Sequence, residues 1–220
     1  MGTGVTLSWL LSGAAVISGV AYIAMTYGGP LWLRYLLKPL TTLLILAVAA
    51  SFADPISTLY RTLIIAGIAF SLAGDVFLML PQNTFVFGLV SFLIAHIFYI
   101  FAYRSVSGFH LTWWLALPYV VYGFFMIYLL WPHVGALRIP VIIYAAVLMI
   151  MGWQAAEQWW HVRDTSMLLA MVGALLFILS DTTLALNKFR APVPQRDLII
   201  MSTYYVAQFL IAWSVYRFPK

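Results

Sequence analysis

The chain has 220 residues, 65% of them hydrophobic and 8% charged, with a mean hydropathy of +1.01 and a formal net charge of +5. Soluble domains carry roughly 25% charged residues, so this chain has too few to cover its surface in water. The absence of cysteine excludes disulfides, thiolate metal sites and cysteine nucleophiles, and positive charge held mostly in short loops does not imply nucleic acid.

Eight apolar runs of helix-spanning length follow one another. The first, residues 5–27, lacks a basic leader and reads as a retained span rather than a cleaved signal. The second, 36–52, follows Arg34 and opens around Lys38-Pro39; the third, 62–80, carries Asp75 and ends at Pro81-Gln82-Asn83. The fourth, 85–103, carries His96 and Tyr99 and stops at Arg104, and the fifth, 111–130, is apolar up to Trp131-Pro132. The sixth, 140–159, contains Tyr144 and ends around Glu157. The seventh, 167–186, carries Ser180-Asp181 and leads to Asn187-Lys188, and the eighth, 198–216, carries Ser202, Tyr204, Tyr205 and Gln208. No run alternates as a barrel strand would. Connections are short, the longest being about 189–197, which leaves no room for a soluble domain. The expected fold is all-α: one integral membrane domain over residues 1–220 with about eight transmembrane helices, multi-pass, in the plasma or inner membrane if the source is bacterial. Basic residues divide nearly evenly between the two sides, so the positive-inside rule does not orient it.

Two stretches echo one another, residues 67–80 and 173–186. Aligned on Asp75 and Asp181, both have glycine eight residues earlier (Gly67, Gly173), a small residue just before, and leucines three and five residues later. Runs four and eight both end in Tyr-Arg, and runs two and six both start near Leu-Arg and then proline, which suggests two parallel four-helix repeats. Asp75 lies six residues before Pro81 and Asp181 seven before Lys188, which puts each about 9 to 10 Å from its helix end at 1.5 Å per residue. Both runs travel the same way, so the two acids reach one depth in the leaflet opposite the N-terminus. Lys38, Tyr144, Ser202 and Tyr205 reach the same layer, Asn187 and Lys188 its rim, and His96 lies nearer the midplane. Asp54, Asp164 and Asp197 fall in loops and Glu157 near a helix end, where solvent is expected to reach them.

An ionised carboxylate near mid-membrane costs about 2.5 kcal/mol or more, so such residues usually mark function. Two carboxyls close together in low dielectric do not ionise alike, and one can act as general acid while the other acts as base. Lys38 is placed to meet a lipid phosphate, and His96 and Tyr99, one turn apart, to orient a carboxyl or a water. A plainer alternative has the aspartates pairing with Lys38, Lys188 or a tyrosine only to lock helices together. No Gly-x-Ser-x-Gly elbow and no close-spaced histidine pair points to a serine nucleophile or a metal site.

With Lys38-Pro39, Gly74-Asp75, Ala95-His96-Ile97-Phe98-Tyr99, Gly173 through Phe177 to Ser180-Asp181, and Asn187-Lys188-Phe189 in this order, the chain resembles the YhhN or lysoplasmalogenase family of eight-span membrane proteins. The resemblance implies that Asp75 and Asp181 are catalytic; supporting roles for Lys38, His96, Tyr99, Tyr144 and Asn187 rest on position and chemistry. It implies hydrolysis of the vinyl ether bond of a lysoplasmalogen, a membrane lysophospholipid, to a fatty aldehyde and a glycerophospho-headgroup. Protonation at the β-carbon, capture of the oxocarbenium ion by water and collapse of the hemiacetal need one carboxylic acid and one carboxylate, and no cofactor. The alternatives are a proton-coupled or lipid-binding carrier with Asp75 and Asp181 as coupling groups, and a metal-dependent lipid hydrolase using His96 with the aspartates.

Overall fold

The computed structural model describes residues 3–81 and 84–218; Gln82, Asn83 and Lys220 lie outside them. Eight helices follow in the expected order: α1 (Thr3–Thr26), α2 (Leu31–Ser51), α3 (Thr58–Met79), α4 (Phe85–Ser107), α5 (Trp113–Leu130), α6 (Arg138–Val162), α7 (Thr165–Phe189) and α8 (Arg196–Trp213). Seven are long and apolar enough to cross a membrane. The remaining one, α8, starts at Arg196-Asp197 and carries Ser202, Thr203, Tyr204, Tyr205 and Gln208, which lower its hydropathy. It nevertheless runs antiparallel along α7, because Ser180 donates to the Ile200 carbonyl near one end and Ser166 to the Tyr216 carbonyl near the other. The chain is therefore an all-α, multi-pass integral membrane protein.

Several boundaries follow from local chemistry. Ser57 caps α3 by accepting from the Tyr60 N–H at 3.0 Å, and Asp164 caps α7 by accepting from Met167 N–H at 2.7 Å, each satisfying an orphan donor of the first turn. Arg163, in the left-handed region at φ 57°, closes α6 directly before that cap, so the α6–α7 connection is a two-residue reversal. Pro39 inside α2 has no N–H to offer the Tyr35 carbonyl. The helices outrun the apolar runs at several ends because charged residues such as Arg138 and Arg196 extend a helix into the interface without breaking it.

The residue distribution is the reverse of a water-soluble bundle. Ile17, Phe124 and Tyr128 face outward, whereas Gln154, Glu157, Gln158, Gln208 and His96 are fully buried. Lipid solvates the apolar exterior and polar side chains are kept inside, where Glu157, Gln158 and Gln208 find partners. Six helices close a ring in the order α2, α3, α4, α6, α7, α8 and back to α2, with α1 against α2 and α8 outside it, and α5 against α6 and α7. The ring order repeats after three helices, but the outer helices differ, since α1 packs on α2 and α8 while α5 packs on α6 and α7. The echoed glycines explain part of the repeat. A Cβ on Gly67 would collide with the Tyr99 ring of α4. One on Gly173 would lie 2.8 Å from Ile211 Cγ1 and 2.9 Å from the Ala207 carbonyl of α8. Each glycine lets the next helix close on the one that carries the aspartate. Inside the ring, Phe92, Phe177, Tyr204 and His96 meet edge to face and form an aromatic floor.

Candidate active site

A cavity of about 440 Å³ lies on the side where α2 and α8 begin and α3 and α7 end. Asp75 and Asp181 both line it, with Lys38, Asn187 and Phe92. Arg34 and Arg196 stand toward the outer ends of α2 and α8 on the same wall, where Asp197 also lies, 3.6 Å from the Arg196 Nε. The shared depth inferred for the two acids is thereby a shared space.

Asp75 is buried and densely contacted. Its Oδ2 accepts the Thr42 hydroxyl of α2 at 2.6 Å and the Tyr204 hydroxyl of α8 at 2.7 Å. The Lys38 ammonium stands 3.4 Å from Oδ1 and also donates to the Asp75 backbone carbonyl at 3.4 Å. Lys38 and Thr42 are one turn apart on α2 and so present one face to α3. Three helices therefore converge on this carboxyl, and removing lysine from a site this dry leaves a charge without its counter-charge. Lys38, read from position as a phosphate ligand or as a partner of the aspartates, stands against Asp75 and also lines the cavity.

Asp181 is held differently. Tyr144 of α6 donates to its Oδ2, and no other hydrogen bond to the carboxyl is made among the described residues. It is half-buried, open to the polar cavity and also to an apolar groove between α4, α5, α6 and α7. Asn187 lines the polar cavity and accepts the Val193 N–H at 3.2 Å, tying down the turn that leads into α8. Arg34 donates to the Met25 and Gly29 carbonyls at 3.0 and 3.3 Å, which anchors its guanidinium against the α1–α2 turn.

The other expected residues fall elsewhere. Tyr99 does not reach the cavity: its hydroxyl donates to Gln208 at 2.7 Å and lies 3.4 Å from Ser71, in the core behind the aromatic floor. His96, one turn away, does not line the cavity either, and both side chains pack on Phe177. His96 is fully buried, 5.3 Å from the Tyr144 ring and 4.8 Å from Phe177, with neither ring nitrogen hydrogen-bonded among the described residues. It supports Tyr144 from below without touching either acid. Ser202 and Tyr205 turn to a second apolar groove between α1, α2 and α8. Lys188 sits at the rim, 4.8 Å over the Phe85 ring. Glu157, expected within reach of solvent, is fully buried. Its Oε1 accepts the Thr112 N–H at 2.7 Å and the Trp153 indole at 2.8 Å, while His161 stands 3.4 Å from Oε2. A helix end at the interface is shielded when the next connection folds over it, and the α4–α5 turn does so here.

Two contributors escaped sequence reasoning, Thr42 and Tyr204. Thr42 had a legible signal in its one-turn spacing from Lys38. Tyr204 had none, because which of the adjacent Tyr204 and Tyr205 faces α3 depends on how α8 is rotated.

Comparison with known proteins comes to the same place. The profile of the YhhN family matches residues 33–215. A human protein named lysoplasmalogenase TMEM86A is 37% identical over 200 residues, covering 84% of this chain and 79% of its own. A pig protein named lysoplasmalogenase TMEM86B is 39% identical over 154 residues, covering 68% of this chain and 62% of its own. A protein of Escherichia coli O6:H1 described as uncharacterized membrane protein YhhN is 28% identical over 203 residues, covering 92% of this chain and 97% of its own. No solved structure matches.

Proposed function

Because the chain belongs to the YhhN family, we propose that it is an intramembrane hydrolase of the lysoplasmalogenase kind. Its reaction is cleavage of the vinyl ether bond of a lysoplasmalogen to a fatty aldehyde and a glycerophospho-headgroup. The observation that carries this reading is that Asp75 and Asp181, from the two halves of the chain, line one cavity beside Arg34 and Arg196. Relatives that share most of the chain are named lysoplasmalogenases, which supports it.

In the proposed mechanism Asp181 is the acid and Asp75 the base. Two hydroxyls and an ammonium directed at Asp75 favour its carboxylate, whereas Asp181 has one donor and an open face. Asp181 gives its proton to the β-carbon of the vinyl ether, and the electron pair of the double bond forms the new C–H bond. The oxocarbenium ion left behind is stabilised by the newly formed Asp181 carboxylate. Water adds to the cationic carbon while Asp75 takes its proton, giving a hemiacetal. Asp75 then protonates the departing glycerol oxygen, the C–O bond breaks, and the hemiacetal hydroxyl proton returns to Asp181. One water is consumed and both carboxyls are restored.

The test is aldehyde release by the detergent-purified protein from 1-alkenyl lysophosphatidylethanolamine, run beside Asp75→Asn and Asp181→Asn. Aldehyde from the parent chain and from neither variant is the expected result. A folded parent chain that releases none overturns the reading. The buried Lys38–Asp75 pair in an open cavity is also what a proton-coupled carrier would hold. Proton-gradient-dependent lysolipid flux in proteoliposomes without aldehyde would establish that second reading.

A further inference from the structure

The ring has a gap. Although α4 and α5 are consecutive, α5 leans on α6 and α7, and among the described residues no Cα of α5 lies within 8 Å of one in α4. The space between them is an apolar groove with walls at Leu89 of α4 and Met126 of α5, and with small residues where bulk would fill it: Gly123, Ala145 and Ala185, from three different helices. A Cβ added at Gly123 meets only the Met149 side chain, at 3.1 Å. Asp181 belongs to the lining of this groove and of the polar cavity, as do Leu78, Phe92 and Leu184, so the two spaces abut at these side chains, with the Asp181 carboxyl on their shared boundary.

From this shared boundary we infer that the gap between α4 and α5 is the lateral entrance for the lipid, and that the groove holds its single hydrocarbon chain while the phosphate stays near Arg34 and Arg196. The inference rests on the proposed function for the identity of the lipid, and assigns the chain site that the reaction needs. A lysolipid is one chain joined through one linkage to a polar head. With the chain in the apolar groove and the head in the polar cavity, the linkage falls where the two meet, beside Asp181. A chain leaving the bilayer for this groove passes from one apolar phase to another, so transfer contributes little and selection is by shape and length. The groove between α1, α2 and α8 is the obvious competitor, but none of its lining residues reaches the polar cavity. A chain lying there would leave the linkage away from both acids.

The experiment is photo-crosslinking in detergent with 1-O-alkyl lysophosphatidylethanolamine bearing a mid-chain diazirine, a lipid with no vinyl ether to cleave, followed by peptide mapping. Adducts on α4 and α5 at Leu89, Gly123 or Met126 are expected. Adducts confined to the α1–α2–α8 groove, or scattered over the outer surface, overturn the inference. In parallel, Gly123→Leu should lower turnover of a hexadecenyl lysolipid roughly tenfold more than that of an octenyl one, because the added side chain overpacks the part of the groove that only the longer chain reaches. Ala145→Leu serves if the glycine variant unfolds. An equal loss at both chain lengths counts against the groove. The parent chain separates the two levels: labelling in the groove without aldehyde release defeats the hydrolase reading and leaves the lipid site. Aldehyde release with labelling elsewhere does the reverse.

Discussion

Asp75 and Asp181 close the same sequence motif and line the same cavity, yet one is clamped and the other is nearly free. Asp75 draws Thr42 and Lys38 from α2 and Tyr204 from α8. Among the described residues, Asp181 has Tyr144 alone. The difference follows from position in the ring. On the Asp75 side, α2 and α8 both present polar residues to the end of α3. On the Asp181 side, among the described residues, only Tyr144 of α6 bonds the carboxyl, and Asp181 also lines the apolar groove that opens beside α4 and α5. Equivalent motifs therefore produce unequal carboxyls. One suits a fixed base; the other suits a proton donor that must reach a passing substrate.

The largest expected effect falls on activity. Asp75→Asn and Asp181→Asn should each reduce aldehyde release by about two to four orders of magnitude, the range for loss of a positioned acid or base. Stability then separates them. Asp75→Asn strands the Lys38 ammonium in a site where its side chain is 9% exposed, at a cost of about 3 to 5 kcal/mol. Asp181→Asn should barely move the melting temperature, and equal shifts in the two variants would break the comparison.

Next comes the ion pair itself. Lys38→Met alone should destabilise much as Asp75→Asn does, while the Lys38→Met/Asp75→Asn double variant should recover part of the loss, a coupling of about 0.5 to 3 kcal/mol. Chemical denaturation of the four proteins measures it, and strict additivity would mean that the two groups ignore each other.

The tyrosines sharpen the contrast. Tyr204→Phe removes a hydrogen bond to a charged group and should cost about 1.5 to 3 kcal/mol of stability. Tyr144→Phe should act chiefly on kcat, by about tenfold, with melting nearly unchanged. A reversed pattern would exchange the roles assigned to the two acids. Smallest is Glu157→Gln, at the opposite face of the protein, which should leave kcat and KM for the lysolipid unaltered within about twofold. A large loss of turnover there would show that the chemistry is not confined to the Asp75–Asp181 cavity.

Much of the site was legible before any geometry. Charged residues in apolar helices are expensive, so Asp75 and Asp181 stood out, and a constant rise per residue placed them at one depth together with Lys38 and Tyr144. Asn187 was readable at the rim for the same reason. Lateral placement was not legible, because rise along a helix says nothing about its rotation. Spacing alone therefore puts Tyr99 beside His96, although it bonds Gln208, and points to Tyr205 where Tyr204 makes the bond to Asp75. Burial of Glu157 was invisible too, since it depends on the α4–α5 connection folding over the end of α6.

Hydropathy and spacing alone determined the all-α membrane class, the eight helices, the repeat of glycine and aspartate, and the depth of the two acids, because these depend on composition and on distance along a helix axis. Only the tertiary structure decided that Lys38 neutralises Asp75, that Tyr144 is the sole hydrogen-bond partner of Asp181 among the described residues, and that α4 and α5 part to leave a groove. Those facts depend on the rotation and tilt of helices, which many side-chain contacts set together and no single segment encodes.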